Sequence, residues 1–378
     1  MGGSIAIVGA GIGGLTAALM LRQKGFTVSV YEAAPEIKPV GAGIVMANNA
    51  MQVFKKLGIQ DRIEYAGNKV SVMEITDEQL RPLSMMRPEK FGQQYGVCNI
   101  AIHRADLQKI LAETFGNENI HLSKRLSSIE QGNRLKLHFE DNTSATAGVL
   151  IGADGIRSVV RQHILDGTVI RGSGQVCWRG ICKTGVPEKY RHTAVEAWGR
   201  GKRFGFVQLD GEKVYWYAVI NKGLLKEQKD IPALFTGFHP DLLDMAEKTG
   251  MENIHFSEIA DLKPLSRWSA GNICLLGDAA HATTPNLGQG ACQAVEDAYA
   301  LGVLLSPGNN IENAFRSYEK MRVKKAHAVV SRSRILGQIA HIENGAGRWL
   351  RNALMKLTPS SAADRQLQWL FDIGYIKE

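Results

Sequence analysis

The run Gly9-Ala-Gly-Ile-Gly-Gly14 lies between a short apolar stretch rich in β-branched residues, Ser4-Ile-Ala-Ile-Val8, and a helical pattern carried by Leu15, Ala18, Leu19 and Leu21. Gly25 closes that pattern, and a second strand-like stretch, Phe26 to Tyr31, ends on Glu32. Strand, G-x-G-x-x-G, helix, strand and acid in this order form the complete context of a dinucleotide-binding βαβ unit. Gly9 makes the tight turn, Gly11 admits a pyrophosphate to the backbone, and Gly14 lets the helix lie close on the strand, with Gly13 in the same first turn. The helix N-terminus offers unpaired N–H groups and a partial positive charge to phosphates. An acid at position 32 fits a ribose with a free 2′-hydroxyl, as in FAD or NAD, and the motif alone does not separate the two.

Two further segments narrow the choice. Val149-Leu-Ile-Gly-Ala-Asp-Gly155 reads as a buried strand running into a turn, with Arg157, Ser158 and Arg161 opening a helix. Asn272-Ile-Cys-Leu-Leu-Gly-Asp-Ala-Ala-His281 repeats that design and places Asp278 just past a strand's C-terminal end. In open α/β sheets that edge binds ligands, although an acid there can equally be a helix cap. The loop Pro285-Asn-Leu-Gly-Gln-Gly290 then opens a helix from Ala291 to Leu305, pointing a second dipole-positive end at whatever lies above the sheet. Two such helix ends suit an extended cofactor. Its pyrophosphate would lie at Gly11 to Gly14, and a group able to accumulate negative charge at Gly288 to Ala291.

Taken together, Gly9 to Gly14 with Glu32, Gly152-Ala-Asp-Gly-x-x-Ser158, and Gly277-Asp-Ala-Ala-His-x-x-x-Pro285-x-x-Gly-Gln-Gly290 resemble the group A flavoprotein monooxygenases, the para-hydroxybenzoate hydroxylase family. The likeness extends over essentially the whole chain. Gly41-Ala-Gly-Ile44 with Asn49-Ala50, Trp178-Arg-Gly180, Gly199 to Arg203 and Gln289 to Asp297 are most similar to the branch of salicylate, urate and 6-hydroxynicotinate hydroxylases and zeaxanthin epoxidase. Cys292 stands where many members have Asn, which favours the urate hydroxylase and epoxidase side. The resemblance implies FAD as cofactor. It assigns the pyrophosphate to Gly9, Gly11, Gly13 and Gly14, the ribose to Glu32, and the phosphate and ribityl region to Arg104. Leu126 would meet the adenine through its backbone, Asp278 would bind the ribityl chain, and Pro285, Gly288, Gln289, Gly290 and Ala291 would line the flavin ring. Asp154 matches an acid implicated in both FAD and nicotinamide binding. Without the family, Arg104 reads as a helix-start ion pair and Leu126 as a core leucine.

The implied fold is α/β: a Rossmann-like FAD-binding domain (1–68, 98–168 and 263–310), an inserted antiparallel β-sheet substrate domain (69–97 and 169–262), and a C-terminal helical segment (311–378). From Val169 to Ile259 the pattern turns to strands, with Asp210-Gly211 as a hairpin signal. Lys69 to Asp77 is expected to join that sheet, and Pro232 to Lys248 to form helix on its outer side. By alternation Tyr215 and Tyr217 share one face, so at most one of these two or Trp216 faces a pocket. Arg179, Arg203 and Tyr217 are the candidates for gripping a substrate, since a guanidinium can fork onto a carboxylate or heterocycle oxygen; each could equally be a surface Arg or a packed Tyr. No catalytic side chain is assigned, because the chemistry belongs to the flavin. His281, beside Asp278, is expected to be structural.

The implied activity is that of a single-component monooxygenase. NADH or NADPH reduces FAD, O₂ adds at flavin C4a, and the distal oxygen of the hydroperoxide passes to an electron-rich aromatic, heterocyclic or isoprenoid substrate. The rivals are a flavin-dependent reductase or halogenase of related fold, and a non-catalytic flavin-containing binding protein with a basic tail. The halogenase W-x-W-x-I-P pattern is absent, its nearest counterpart being Val214 to Val219.

Composition bears on compartment and partners. Five widely spaced cysteines with no C-x-x-C argue for reduced thiols and against a disulfide framework or a metal site. The uncharged first 21 residues contain six glycines and no basic n-region, unlike a signal segment. A cytoplasmic monomer or homodimer is expected. The net charge of +8 is confined to one segment: between Asn313 and Lys356 ten basic residues face only Glu319 and Glu343, and 35 of each sign remain elsewhere. Nucleic acid is therefore not an expected partner. Ile311, Phe315, Tyr318 and Met321 mark an amphipathic helix from Ile311 to about Leu336. Gly345 and Gly347 would break it before a second helix, Arg348 to Lys356. Its charges are expected mostly to face water; guidance of an anionic substrate, then docking to an anionic membrane, follow as alternatives.

Overall fold

The computed structural model describes residues 4–37, 42–225 and 230–377. Gly41, the first residue of the Gly41–Ile44 motif, lies outside the described residues. Ser4–Val8 occupies the middle of a six-stranded sheet whose order is Ser269–Ala270, Ile273–Leu275, Val149–Gly152, Ser4–Val8, Thr27–Tyr31 and Ile120–His121. All its pairs are parallel except the edge hairpin between 269–270 and 273–275. Its central strands are buried on both faces, as with Ile5, Ala6, Leu150, Ile151, Ile273 and Leu275, which is why they read as continuous apolar runs. The helices Ile12–Gln23 and Gly290–Leu304 pack against each other, and glycines let them approach closely. A Cβ on Gly13 would lie 2.8 Å from that of Ala294, and one on Gly302 2.9 Å from that of Met20.

A seven-stranded sheet forms the second body, in the order His255–Leu262, Ile170–Lys183, Lys213–Asn221, Lys202–Gln208, Thr193–Trp198, Val72–Asp77 and Pro82–Met86. It is antiparallel apart from the parallel pair of 72–77 with 193–198. The stretch Lys69 to Asp77 is not one strand of this sheet. Gly67–Val70 pairs with Asn99–His103 in a separate three-stranded sheet, and only Val72–Asp77 joins the large one. The switch occurs at Ser71, where the N–H groups of Ser71 and Val72 both donate to the His192 carbonyl. The outer face packs Trp178, Phe204, Phe206 and Trp216 against the helices Ile231–Leu234 and Pro240–Glu247. Alternation leaves Cys177, Arg179, Glu196, Arg203, Tyr215 and Tyr217 on the inner face. The architecture is thus the expected α/β fold: a Rossmann-like parallel sheet, a largely antiparallel sheet, and C-terminal helices.

Those helices are Ile311–Ala340, Gly345–Leu357 and Ser360–Phe371. The glycines at 345 and 347 start the second helix rather than break the first, because the Asn344 side chain caps it by accepting from the Gly347 N–H at 2.6 Å. Most basic residues of this segment face water as expected, with Arg316, Lys320, Lys324, Arg332 and Lys356 exposed, but three do not. Arg322, Lys325 and Arg351 are buried. Their burial follows from spacing: Arg322 and Lys325 continue the Phe315–Tyr318 stripe by steps of four and three, whereas Met321 sits beside it.

Candidate active site

The three sequence motifs meet at the C-terminal edge of the parallel sheet. Gly9 adopts a φ of +107°, and a Cβ there would lie 2.3 Å from the Ala153 carbonyl oxygen. A Cβ on Gly14 would lie 2.0 Å from the Gly9 carbonyl oxygen. These two glycines are demanded by the protein's own packing. Gly11 differs, since nothing stands within 4 Å of its missing Cβ. It opens the helix Ile12–Gln23, which has no side-chain cap, so the first-turn N–H groups remain available to an anion. Beside it, Glu32 accepts from the Ala10 N–H at 2.8 Å and the Ala34 N–H at 2.9 Å. Each carboxylate oxygen keeps a lone pair for a ribose hydroxyl.

The second end is built alike. Gly288 is left-handed, with φ +63° and open space at its missing Cβ, and the helix Gly290–Leu304 has no side-chain cap. Gln289 is buried, and its Oε1 accepts from Asn49 at 3.0 Å and Gln293 at 3.1 Å. Its side-chain oxygen is thus turned inward, while its backbone lies at the helix end beside Gly290 and Ala291. Pro285 begins the short turn that carries Asn286.

Asp278 is exposed at the first position of the helix Asp278–His281 and caps nothing, so the helix-cap reading does not hold. Its turn is fixed from below. Asp297 accepts from the Gly277 N–H at 3.0 Å and pairs with His281 Nε2 at 2.5 Å, which gives His281 the expected structural position. Asp154 accepts from the Val159 and Val160 N–H groups through Oδ2, while Oδ1 is buried without a partner. Burial raises its pKa, and the hydrogen bonds pull the other way. Arg104 is exposed at a helix start, and its side chain makes no hydrogen bond or ion pair with the described residues. The Leu126 side chain is core, and its strand follows Lys124, whose N–H bonds the Glu32 carbonyl at 2.7 Å.

Across from this edge, the inner sheet face carries one polar row. Arg179 pairs with Tyr217, Tyr217 with Gly205, and Gly205 with Glu196 on four adjacent strands. Gly205 is required because a Cβ there would lie 2.1 Å from Tyr217 Cζ. Tyr217 lies over that gap and donates its hydroxyl proton to Glu196. Glu196 also accepts from Trp198 Nε1 at 2.6 Å and from Arg203 at 3.2 Å. Arg203 is buried, with one terminal nitrogen on Glu196 and the other on Asn286, which joins the sheet to the 285–290 loop. Arg179 donates to Ser257 Oγ at 3.3 Å and lies beside Cys177 and Tyr215. Both tyrosines share this face, their ring centroids 5.9 Å apart, while Trp216 points into the outer core and bonds Thr249.

Open space at Gly11 and Gly288, two uncapped helix ends and the orphaned Asp154 oxygen together fit an extended, partly anionic cofactor. Residues 3–333 match the family described as FAD binding domain. The chain belongs to that family. Its relatives place it among the group A FAD monooxygenases. The aurachin C monooxygenase/isomerase of Stigmatella aurantiaca is 35% identical over 367 residues, 96% of each chain. The 3-hydroxybenzoate 6-hydroxylase of Polaromonas naphthalenivorans is 34% identical over 388 residues, 97% of this chain and 95% of that one. Klebsiella pneumoniae HpxO, solved with FAD and uric acid, has a TM-score of 0.88 at 27% identity, covering 98% of this chain and 97% of that one.

The flavoprotein also contains a buried charge cluster that motif reading leaves without a role. Glu296 accepts from Arg322 at 2.7 Å, Lys325 at 3.0 Å, Tyr375 at 2.9 Å and Asn49 at 2.5 Å. Arg322 also bonds Asp297 at 2.7 Å. Glu296 supports the Gln289 loop through Asn49 and Gln293, and Asp297 supports the Gly277 turn directly. A signal was present in the sequence: Glu296 and Asp297 are adjacent in a helix with no other charge. Glu196 carried no such signal, since one acid in a strand reads as an exposed position.

Proposed function

We propose that this flavoprotein is a monooxygenase that uses NADH or NADPH and O₂ to hydroxylate or epoxidise a small electron-rich aromatic, heterocyclic or isoprenoid substrate. The observation that carries the reading is that the glycine-opened loop 285–290, at an uncapped helix end, is joined through Asn286 and Arg203 to a sheet face bearing Arg179, Glu196, Arg203, Tyr215 and Tyr217. Relatives named as a monooxygenase and a hydroxylase support it. Bound FAD supplies the redox chemistry, accepting reducing equivalents from the nicotinamide and activating O₂.

The chain's own residues then have three tasks. Gly9 to Gly14 and Glu32 receive the pyrophosphate and the adenosine ribose, Arg104 adds an unpaired cation near the phosphates, and Asp278 accepts from the ribityl hydroxyls. The helix end at Gly288 to Ala291 presents N–H groups and a dipole that favour negative charge on the flavin ring. Arg179 and the two tyrosines meet the substrate. Arg203 and Tyr217 are held by Glu196, so the substrate face and the flavin loop move as one unit through Asn286.

The test is direct. Purified protein is expected to be yellow and to release FAD on denaturation, and Gly11→Val or Asp278→Ala should bleach it. Small aromatic acids, purines, quinolones and isoprenoids are then screened for stimulated NADH or NADPH oxidation coupled to O₂ uptake. A colourless, active wild type would overturn the reading, as would a yellow protein whose NAD(P)H oxidation no ligand stimulates.

A further inference from the structure

The helix Gly345–Leu357 packs one side against the protein through Arg351, which donates to the Ala340 carbonyl at 2.9 Å, and through Arg348, which pairs with Glu78 at 2.6 Å. Its opposite side is apolar and open. Trp349, Leu350, Leu354 and Leu357 are 72%, 52%, 57% and 77% exposed. These are four of the twelve large apolar side chains exposed among the described residues, so the surface is concentrated, not scattered. At 3.6 residues per turn the four fall within an arc of about 140°.

Charge decides what covers this face. The helix contains Arg348, Arg351 and Lys356 and no acid. It ends the segment that holds the chain's entire excess of positive charge. Lys356 is exposed on the flank of the apolar arc, and Arg316, Lys320, Lys324 and Arg332 are exposed on the preceding helix. A second copy docking about a two-fold axis would bring this cationic helix against itself. An anionic lipid surface is complementary to it. Tryptophan and leucines on one face, Lys356 beside them and no acid in the helix form the pattern of a helix lying in the plane of a bilayer interface. Among the described residues no helix is long and apolar enough to cross a membrane, so any such contact is peripheral.

We infer that the Gly345–Leu357 helix is a docking surface for anionic membrane lipid, with Trp349, Leu350, Leu354 and Leu357 entering the interface and Lys356 meeting the headgroups. The inference is independent of the flavin chemistry proposed above. The experiment sediments the full-length holoprotein with phosphatidylcholine vesicles and with vesicles that also contain phosphatidylglycerol. The wild type is expected to pellet with the anionic vesicles only, and less as salt is raised. The Leu350→Glu/Leu354→Glu variant should partition at least roughly tenfold less, through lost apolar burial and added repulsion, while keeping its FAD. Leu354→Ser serves as a milder variant should the double one lose its flavin, and it should weaken pelleting in the same direction. Wild type left in the supernatant with anionic vesicles overturns the inference. So does variant protein that pellets like wild type, or a wild-type dimer that the substitutions convert to monomer, which would make the face a self-association surface.

Discussion

Replacing Arg322 with Met removes the cation at the centre of the buried cluster while keeping an unbranched apolar stem. The guanidinium lies 2.7 Å from both Asp297 and Glu296, all three side chains being fully buried. Lys325 remains 3.0 Å from Glu296 and His281 2.5 Å from Asp297, so each acid keeps one ion-pair partner and loses the guanidinium that bridges the two. Breaking a buried ion pair from one side costs about 3–5 kcal/mol, because an under-compensated charge stays buried. For a chain of this size that is a fall in melting temperature on the order of 10 °C. The pH dependence is more diagnostic. Burial pushes the Asp297 carboxyl up, yet the charges of His281 and Arg322 hold it at about 2, below its ordinary 3.8. A depressed carboxyl stabilises the fold above its unfolded value, and that contribution disappears as pH falls through the folded value. In Arg322→Met the downward pull weakens, the folded carboxyl protonates at higher pH, and the orphaned charge is relieved. The gap between wild type and variant should therefore be widest near neutrality and narrow as pH falls below the ordinary carboxyl value of 3.8 toward about 2. Melts followed by the fluorescence of released flavin measure it. Adding Asp297→Asn should restore part of the loss. A variant melting within about 1 °C of wild type, or a gap that does not narrow in acid, would refute the argument, since either outcome means the buried charges are not coupled.

Three further outcomes are expected. Gly14→Ala places a Cβ 2.0 Å from the Gly9 carbonyl and should cost at least ~1–3 kcal/mol in urea unfolding, whereas Gly11→Ala, with open space around it, should keep the apoprotein's stability and lose only FAD affinity. Glu196→Gln leaves buried Arg203 without its anion; FAD content should be unchanged while kcat/KM for the stimulated oxidation falls about tenfold or more in steady-state assays. His341 is held at about 3 by burial and by the charges of Arg203 and Arg351, below its ordinary 6.5. The unfolded chain takes up a proton there that the folded chain refuses, so stability should decline as pH falls from 6.5 toward 3, and His341→Asn should flatten that slope in a pH series of melts.

The dinucleotide unit was legible because its requirements are local. Gly9 takes a positive φ in the turn and Gly14 lies against the Gly9 carbonyl five residues away, a strand buried on both faces must be apolar along its length, and a helix meant for an anion must begin without a cap. The same reasoning located Asp154 and Asp278, each just after its strand, and the 285–290 loop, just before its helix. The sheet switch at Ser71 escaped it, since a long β-rich stretch does not record which partner each half will find. The C-terminal charges escaped for the opposite reason. Spacing places Arg322 and Lys325 on the buried stripe, but a cation can stay there only where acids from another element meet it, and Glu296 and Asp297 come from about 25 to 30 residues earlier. Sequence alone therefore determined the cofactor unit, the order of the motifs and the class of fold. Only tertiary structure decided which charges are internal, that Glu196 joins Tyr217 to Arg203 and Arg203 to the 285–290 loop, and which helix keeps an apolar face in water, because those depend on desolvation and on partners that the chain brings together from a distance.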